Sequence, residues 1–276
     1  MDFLSDSYSK NGSGLHSNYH NAHPFAHGVY PNFLKEDVAA KAADQFPKPG
    51  DEWIHYVHFN EKKHGLNKLD QIPAALAEVI TQCLSAPFLK WLEEVSGIQN
   101  LQADPLLEGG GLHQTLNGGF LNIHADFTTH PRKRNLKRRL NLLIYLNPEW
   151  KEEWGGHLEL WDEKMEKCEQ RIAPNYNQAI IFTTDAKSYH GQPEPVTCPE
   201  NQSRRSIALY YYTDEHKMLP LQSTNYQARP FERWKAPLVW ADKKAVAVYS
   251  FMKNKLGFND KIVGNILNVF SGKKKD

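Results

Sequence analysis

The stretch GGGLHQTLNGGFLNIHADF, residues 109–127, marks a change of texture in the chain. It is glycine-punctuated and carries short apolar runs. RRLNLLIYLN, GGHLELW, QAIIFTT, SYHGQPEPV and RRSIALYYYT follow, each a short β-branched or aromatic run bounded by Gly, Pro, Asn or Asp. Six or more short strands with turn signals, and no helical pattern between them, predict an antiparallel sandwich or jelly roll.

Upstream the periodicity is helical. PNFLKEDVAAKAADQF puts Leu34, Val38, Ala42 and Phe46 on one stripe, and IPAALAEVITQCL does the same with Leu76, Val79, Ile80 and Cys83. PFLKWLEEVSG continues with Phe88, Trp91, Leu92 and Val95, and Gly97 stands where a helix would end. Residues 32–97 are therefore expected to be helical, supporting a jelly-roll core at about 106–213 inside one domain spanning 23–215. Residues 1–22, rich in Ser, Asn and Gly, read as a mobile polar arm. Residues 216–276 read as a lid-like segment followed by a C-terminal helix through Ile262, Val263, Ile266, Leu267 and Phe270, with a solvated GKKKD tail.

A net charge of +1 gives no global field toward nucleic acid or an anionic membrane. Three cysteines without CxxC spacing fit a reducing compartment rather than a disulfide framework. The N-terminus lacks the basic and apolar regions of a signal peptide, and no run of eighteen apolar residues occurs. A cytoplasmic protein, monomer or homodimer, is the expectation, with no membrane or nucleic-acid partner.

In LNIHADFTTH, His124 and Asp126 are two apart, so on a strand both point to one face. Imidazole plus carboxylate suits a first-row metal better than calcium or magnesium. Two ligands do not make a site. His130 is the nearest third candidate, but His130-Pro131 reads as the strand running out into a loop. His157, at a strand start, reads as a surface or second-layer residue. His190 begins a short strand further on, and a jelly roll folds back so that early and late strands lie together. His190 is the better choice. On the next strand Arg204 and Ser206 share a face, and a guanidinium there can grip a carboxylate bidentately. Arg205 points away if the strand is regular, and a one-residue slip would exchange the two arginines.

With HxD, the distal His and Arg-x-Ser in this order, the chain resembles the Fe(II)- and 2-oxoglutarate-dependent dioxygenases. FLNIHADF, RRLNLLIYLNPEW, WGGHLELWD, SYHGQPEPV and RRSIALYYYT are similar to the prolyl-4-hydroxylase-like branch over residues 106–213. The lead-in HPFAHGVYPNFL also resembles how those enzymes begin. The resemblance implies a double-stranded β-helix and iron held by His124, Asp126 and His190, the facial triad of such oxygenases. It implies that Arg204 binds the distal carboxylate of 2-oxoglutarate, with Tyr145 and Ser206 assisting. The cofactors implied are Fe(II), 2-oxoglutarate and O2, with ascorbate as reductant. Because Asp126 is a carboxylate where related halogenases have Gly or Ala, hydroxylation is favoured over halogenation. The substrate is a prolyl side chain of a peptide or a small molecule. The alternative is a cupin-like metal-binding jelly roll without 2-oxoglutarate turnover, which leaves Arg204 without a role.

Two stretches carry a functional and a bland reading. His16, His20, His23 and His27 have spacing a metal could use, but lie in the polar arm. RKRNLKRR, residues 132–139, has six basic residues in eight, yet no interleaved aromatics for base stacking, so it reads as a solvated loop beside the site.

Overall fold

The computed structural model describes residues 1–10 and 12–242; the expected helix at 262–270 and the final tail lie outside them. Thirteen strands form the described core. They are β1 (His27–Pro31), β2 (Ile54–His58), β3 (Glu61–Leu66), β4 (Gln102–Ala103), β5 (Gly111–Thr115), β6 (Phe120–Ala125) and β7 (Leu136–Tyr145). Then come β8 (Leu158–Trp161), β9 (Cys168–Ile172), β10 (Gln178–Thr183), β11 (His190–Gln192), β12 (Arg204–Asp214) and β13 (Asn225–Tyr226). The α-helices among the described residues are α1 (Asp6–Ser9), α2 (His16–His20), α3 (Glu36–Asp44), α4 (Ala74–Cys83) and α5 (Ala86–Ser96). The strand path β1-β10-β7-β12-β5 continues through β3 into β6-β11-β8-β9, and every pairing is antiparallel. The sheet curls into the expected jelly roll, with one layer at each end of this path and β3 as the seam between them.

Alternation along β7 shows why the layers close on each other. Leu140, Leu142 and Ile144 face outward onto α4 (Ala74–Cys83) and α5 (Ala86–Ser96), in one core with Leu76, Ile80, Phe88 and Leu92. Each such fully buried aliphatic side chain contributes roughly 1.5–3 kcal/mol over an exposed one. Asn141, Leu143 and Tyr145 point the other way, toward Leu158 and Phe182 between the layers. The helix α5 stops at Gly97, whose φ of 75° is the left-handed cap geometry that glycine adopts without strain.

Two expectations for the N-terminal part are corrected. Residues 1–22 are not a free arm: Phe3, Leu4 and Tyr19 are buried in the main core, and Leu4 bridges Leu34. The polar residues around them mask three large apolar anchors, enough to pin a short segment to a domain surface. Nor is the region before residue 97 wholly helical. Beside the short helix α3 (Glu36–Asp44) it contains the hairpin β2–β3, paired from Ile54↔Gly65 to His58↔Glu61. The run IHYVHFNEKKHGL alternates with a period of two, and its polar content hides the strand signal.

After β12 the chain lies along the free edge of β6. Strand β13 pairs with His124 and Ala125, and Thr128 and Thr129 donate hydroxyl hydrogen bonds to the Gln222 side chain and the Pro220 carbonyl. Asp242 accepts hydrogen bonds from Asn60 Nδ2 and from the Phe59 amide, and pairs with His58. No helix among the described residues is long and apolar enough to cross a membrane. Cys83, Cys168 and Cys198 are all free.

Candidate active site

Antiparallel pairing of β11 with β6 sets His190 directly opposite His124, which is how residues 66 apart in sequence bring their rings to 4.6 Å. Asp126 follows β6 by one residue, and its carboxylate lies 3.5 Å from His124 Nε2 and 3.3 Å from His190 Nε2. The three ligand atoms lie within 4.8 Å of one another.

The donor chemistry tests whether a metal suits them. His124 Nδ1 donates to the Asn122 carbonyl at 2.8 Å, and His190 Nδ1 donates to the Ser188 carbonyl at 2.9 Å. With Nδ1 of each ring donating to a carbonyl, Nε2 is the atom that each ring turns toward the carboxylate. Burial pushes the His124 imidazole down from its ordinary pKa, which also favours the neutral ring. Two imidazole nitrogens and a carboxylate oxygen then converge. A divalent first-row cation satisfies all three, and the carbonyl partners are the kind that orient metal-bound imidazoles.

Asp126 is held from behind. Its Oδ2 accepts hydrogen bonds from Arg138 Nη2 at 2.9 Å and from Asn141 Nδ2 at 2.7 Å. Arg138 Nε in turn donates to Asn141 Oδ1, and its guanidinium stacks on Tyr210 with Cζ 3.3 Å from the ring centroid. Burial alone would raise the Asp126 pKa, but the Arg138 guanidinium holds it well below the usual carboxylate range. Arg138 belongs to the basic stretch read as a solvated loop, yet it is 1% exposed. A bulge is responsible. Tyr211 pairs with Leu140 but Tyr212 with Arg138, so Arg139 is the extra residue of β7 and Arg138 takes the inward position. Replacing Arg138 by Leu is expected to weaken divalent-metal binding about 10- to 100-fold, as loss of an outer partner does. Arg139→Leu, which removes only an ion pair at 3.9 Å to Glu215, should not weaken it; Mn(II) titration of the two variants checks this.

A cavity partly open to solvent adjoins the trio, with about 630 Å³ of empty space once the open mouth is included. Leu143, Leu158 and Phe182 make its apolar wall. Arg204 and Ser206 enter from β12, and Ser206 pairs with Tyr145 on β7, so the expected face is the inward one. Arg204 Nε donates to the Gly156 carbonyl and Nη2 to the Tyr145 hydroxyl, both at 2.7 Å. Burial raises the Tyr145 pKa, so the hydroxyl keeps its own proton to donate onward. Arg205 points out of the cavity, donating to Ser203 and stacking over Phe46. Arg204 is buried, and no carboxylate pairs with it among the described residues. A buried cation without a counter-ion is costly, so this end of the cavity suits an anion.

His130 lies elsewhere. It is wholly buried, its Nδ1 accepts the amides of Arg132 and Lys133, and its Nε2 faces Asp104 at 3.4 Å. It shapes the loop after the HxD strand and does not approach the trio. His157 is also buried, paired with Glu152 at 2.7 Å. Lys63 and His113 line the cavity as well, and neither was singled out from the sequence. His113 was hidden in LHQT, where a single inward histidine has no distinguishing neighbour. Burial and the nearby Lys63 push its pKa down to about 3, so it is neutral.

Residues 110–212, which hold the trio, Arg138, Tyr145 and Arg204, match the family model of the 2OG-Fe(II) oxygenase superfamily. Over these residues the chain is similar to that superfamily. Across 199 residues it is 24% identical to the prolyl 3-hydroxylase OGFOD1 of Mus musculus, a match covering 68% of this chain and 33% of that protein. The match thus spans about a third of the length of that curated relative. In fold, the chain is similar to a prolyl hydroxylase of Trichoplax adhaerens solved with a hypoxia-inducible-factor peptide fragment. That match has a TM-score of 0.52 at 18% identity, covering 76% of this chain and 92% of the other. It is equally similar to a Pseudomonas putida prolyl-4-hydroxylase, with a TM-score of 0.52 at 17% identity, covering 73% and 98%. The family is one of Fe(II), 2-oxoglutarate and O2 chemistry, and the His-Asp-His trio fits its metal.

Proposed function

We propose that this chain is an Fe(II)- and 2-oxoglutarate-dependent hydroxylase in which His124, Asp126 and His190 hold the iron and Arg204 anchors the co-substrate. The observation that carries the reading is the unpaired buried guanidinium of Arg204, in the same cavity as the trio. A dicarboxylate able to reach both the metal and Arg204 uses both ends of that cavity. In a cupin-like module without 2-oxoglutarate the same charge would stay uncompensated.

Iron bound there supplies O2 activation coupled to oxidation of 2-oxoglutarate to succinate and CO2, with the second oxygen atom going to a C–H bond of the substrate. The protein's part is positional. Arg204 and the Tyr145 hydroxyl clamp the distal carboxylate, with Ser206 beside them on the same face. Arg138 and Asn141 fix one oxygen of Asp126 and leave the other to ligate. Leu143, Leu158 and Phe182 exclude water from the reacting end.

A peptidyl proline is the favoured substrate because the named relatives are prolyl hydroxylases, and a small molecule is the other class. Residues 216–242 act as a lid, a reading supported by their ties to β6 and to the β2–β3 turn. The three free cysteines support a cytoplasmic location.

The experiment is anaerobic loading with Fe(II) and 2-oxoglutarate, followed by exposure to O2. A near-visible charge-transfer band before O2 and succinate after it are the expected results, with a +16 Da product once the right peptide or metabolite is supplied. Absence of both band and succinate would overturn the proposal.

A further inference from the structure

A third cation lines the cavity besides Arg138 and Arg204. Lys63, on β3, places its ammonium 3.2 Å from Glu61 and 5.3 Å from the Tyr56 ring centroid, with 15% of its side chain exposed. Glu61 does not belong to Lys63 alone. The same carboxylate takes a hydrogen bond from His58 at 2.8 Å and another from the Tyr226 hydroxyl. An ammonium has three N–H donors in any case, and the one carboxylate oxygen it reaches, Glu61 Oε2, satisfies only one.

The charges at the cavity wall do not balance. Lys63, Arg138 and Arg204 are cations, and Asp126 and Glu61 are the carboxylates that face them. A divalent metal and dianionic 2-oxoglutarate cancel each other, so loading the site leaves one surplus positive charge. Arg138 is committed to Asp126, and on the reading above Arg204 is committed to the co-substrate. Lys63 is tied only to Glu61, a carboxylate that His58 and Tyr226 also engage, and a low-dielectric cavity focuses its field on whatever enters.

We propose that the substrate carries a carboxylate and that Lys63 binds it. This rests on the hydroxylase reading and names its substrate class. The acid is either the free carboxyl of a small substrate or an acidic side chain beside the target in a peptide.

The test uses the full chain with Mn(II) and saturating 2-oxoglutarate, without O2, so that Arg204 is filled and nothing turns over. Calorimetry compares N-acetylproline with N-acetylprolinamide, and acetyl-Pro-Asp-amide with acetyl-Pro-Asn-amide. The acid of at least one pair is expected to bind about tenfold more tightly than its amide, the size of one charge-assisted contact. The pair that shows the preference tells a free carboxyl from an acidic side chain. Lys63→Gln should abolish the preference and Lys63→Arg should keep it, while His58 and Tyr226 still hold Glu61 in both variants. Equal binding within both pairs, no binding of any probe, or a preference that survives in Lys63→Gln would each overturn the inference. Succinate formation by the wild type is measured separately. Its failure sinks the hydroxylase reading, whereas its success beside equal binding of acid and amide sinks only the role of Lys63.

Discussion

Replacing His190 by alanine is expected to lower the affinity for Fe(II) by more than about 100-fold, because only His124 and Asp126 then remain of three converging donors. Succinate formation should be lost with it. The control is the histidine that the sequence places closest. His130→Ala should leave metal affinity unchanged, since His130 faces Asp104 and two backbone amides rather than the trio. It should instead cost stability, about 2–3 kcal/mol for the orphaned amides and carboxylate. Anaerobic Fe(II) titration and denaturant unfolding of the two variants separate these effects. Retained metal affinity in the His190 variant, or its loss in the His130 variant, would reverse the ligand assignment.

Arg204→Ala is expected to raise the KM for 2-oxoglutarate about 100-fold, corresponding to roughly 3 kcal/mol for one side of a buried charge pair. Tyr145→Phe removes one neutral hydrogen bond to the same carboxylate and should cost about tenfold. The two will not add, because the Tyr145 hydroxyl and the guanidinium are bonded to each other at 2.7 Å. Arg205→Ala should leave the KM for 2-oxoglutarate as it is, since that side chain lies on the opposite face over Phe46. Initial rates against 2-oxoglutarate concentration decide the matter, and equal effects at positions 204 and 205 would refute the clamp.

How far the sequence could be read depended on whether a side chain's direction followed from strict alternation. His124 with Asp126, and Arg204 with Ser206, are spaced by two, and both pairs came out on the face expected. The helices α4 and α5 were equally legible, because their stripes have no competing period. The hairpin β2–β3 was not, since its charged and histidine residues blur the alternation. The segment before residue 22 was misread for a related reason: three buried anchors, Phe3, Leu4 and Tyr19, are too sparse for any period to show.

Arg138 marks where alternation fails. Counting back by twos from Tyr145 through Leu143 and Asn141 arrives at Arg139, and only the bulge in β7 turns its neighbour into the site. Nothing local in RKRNLKRR encodes that, because the extra residue is defined by the partner strand β12. The surplus charge is a similar case. Lys63 is an ordinary lysine on a polar hairpin until β3 bridges the two layers and sets it in the cavity wall.

By itself, then, the amino-acid sequence determined the strand-rich core and the spacing of His124 and Asp126, which follow from residue type and a period of two and are properties of the chain alone. His190 and Arg204 were chosen from the expected folding-back of a jelly roll and from the family resemblance, not from local spacing. The tertiary structure decided which residues hold Asp126, which histidine is merely structural, and what charge the finished cavity carries. Those depend on register, a bulge and the closing of one layer over another, and all three come from strands far apart in sequence.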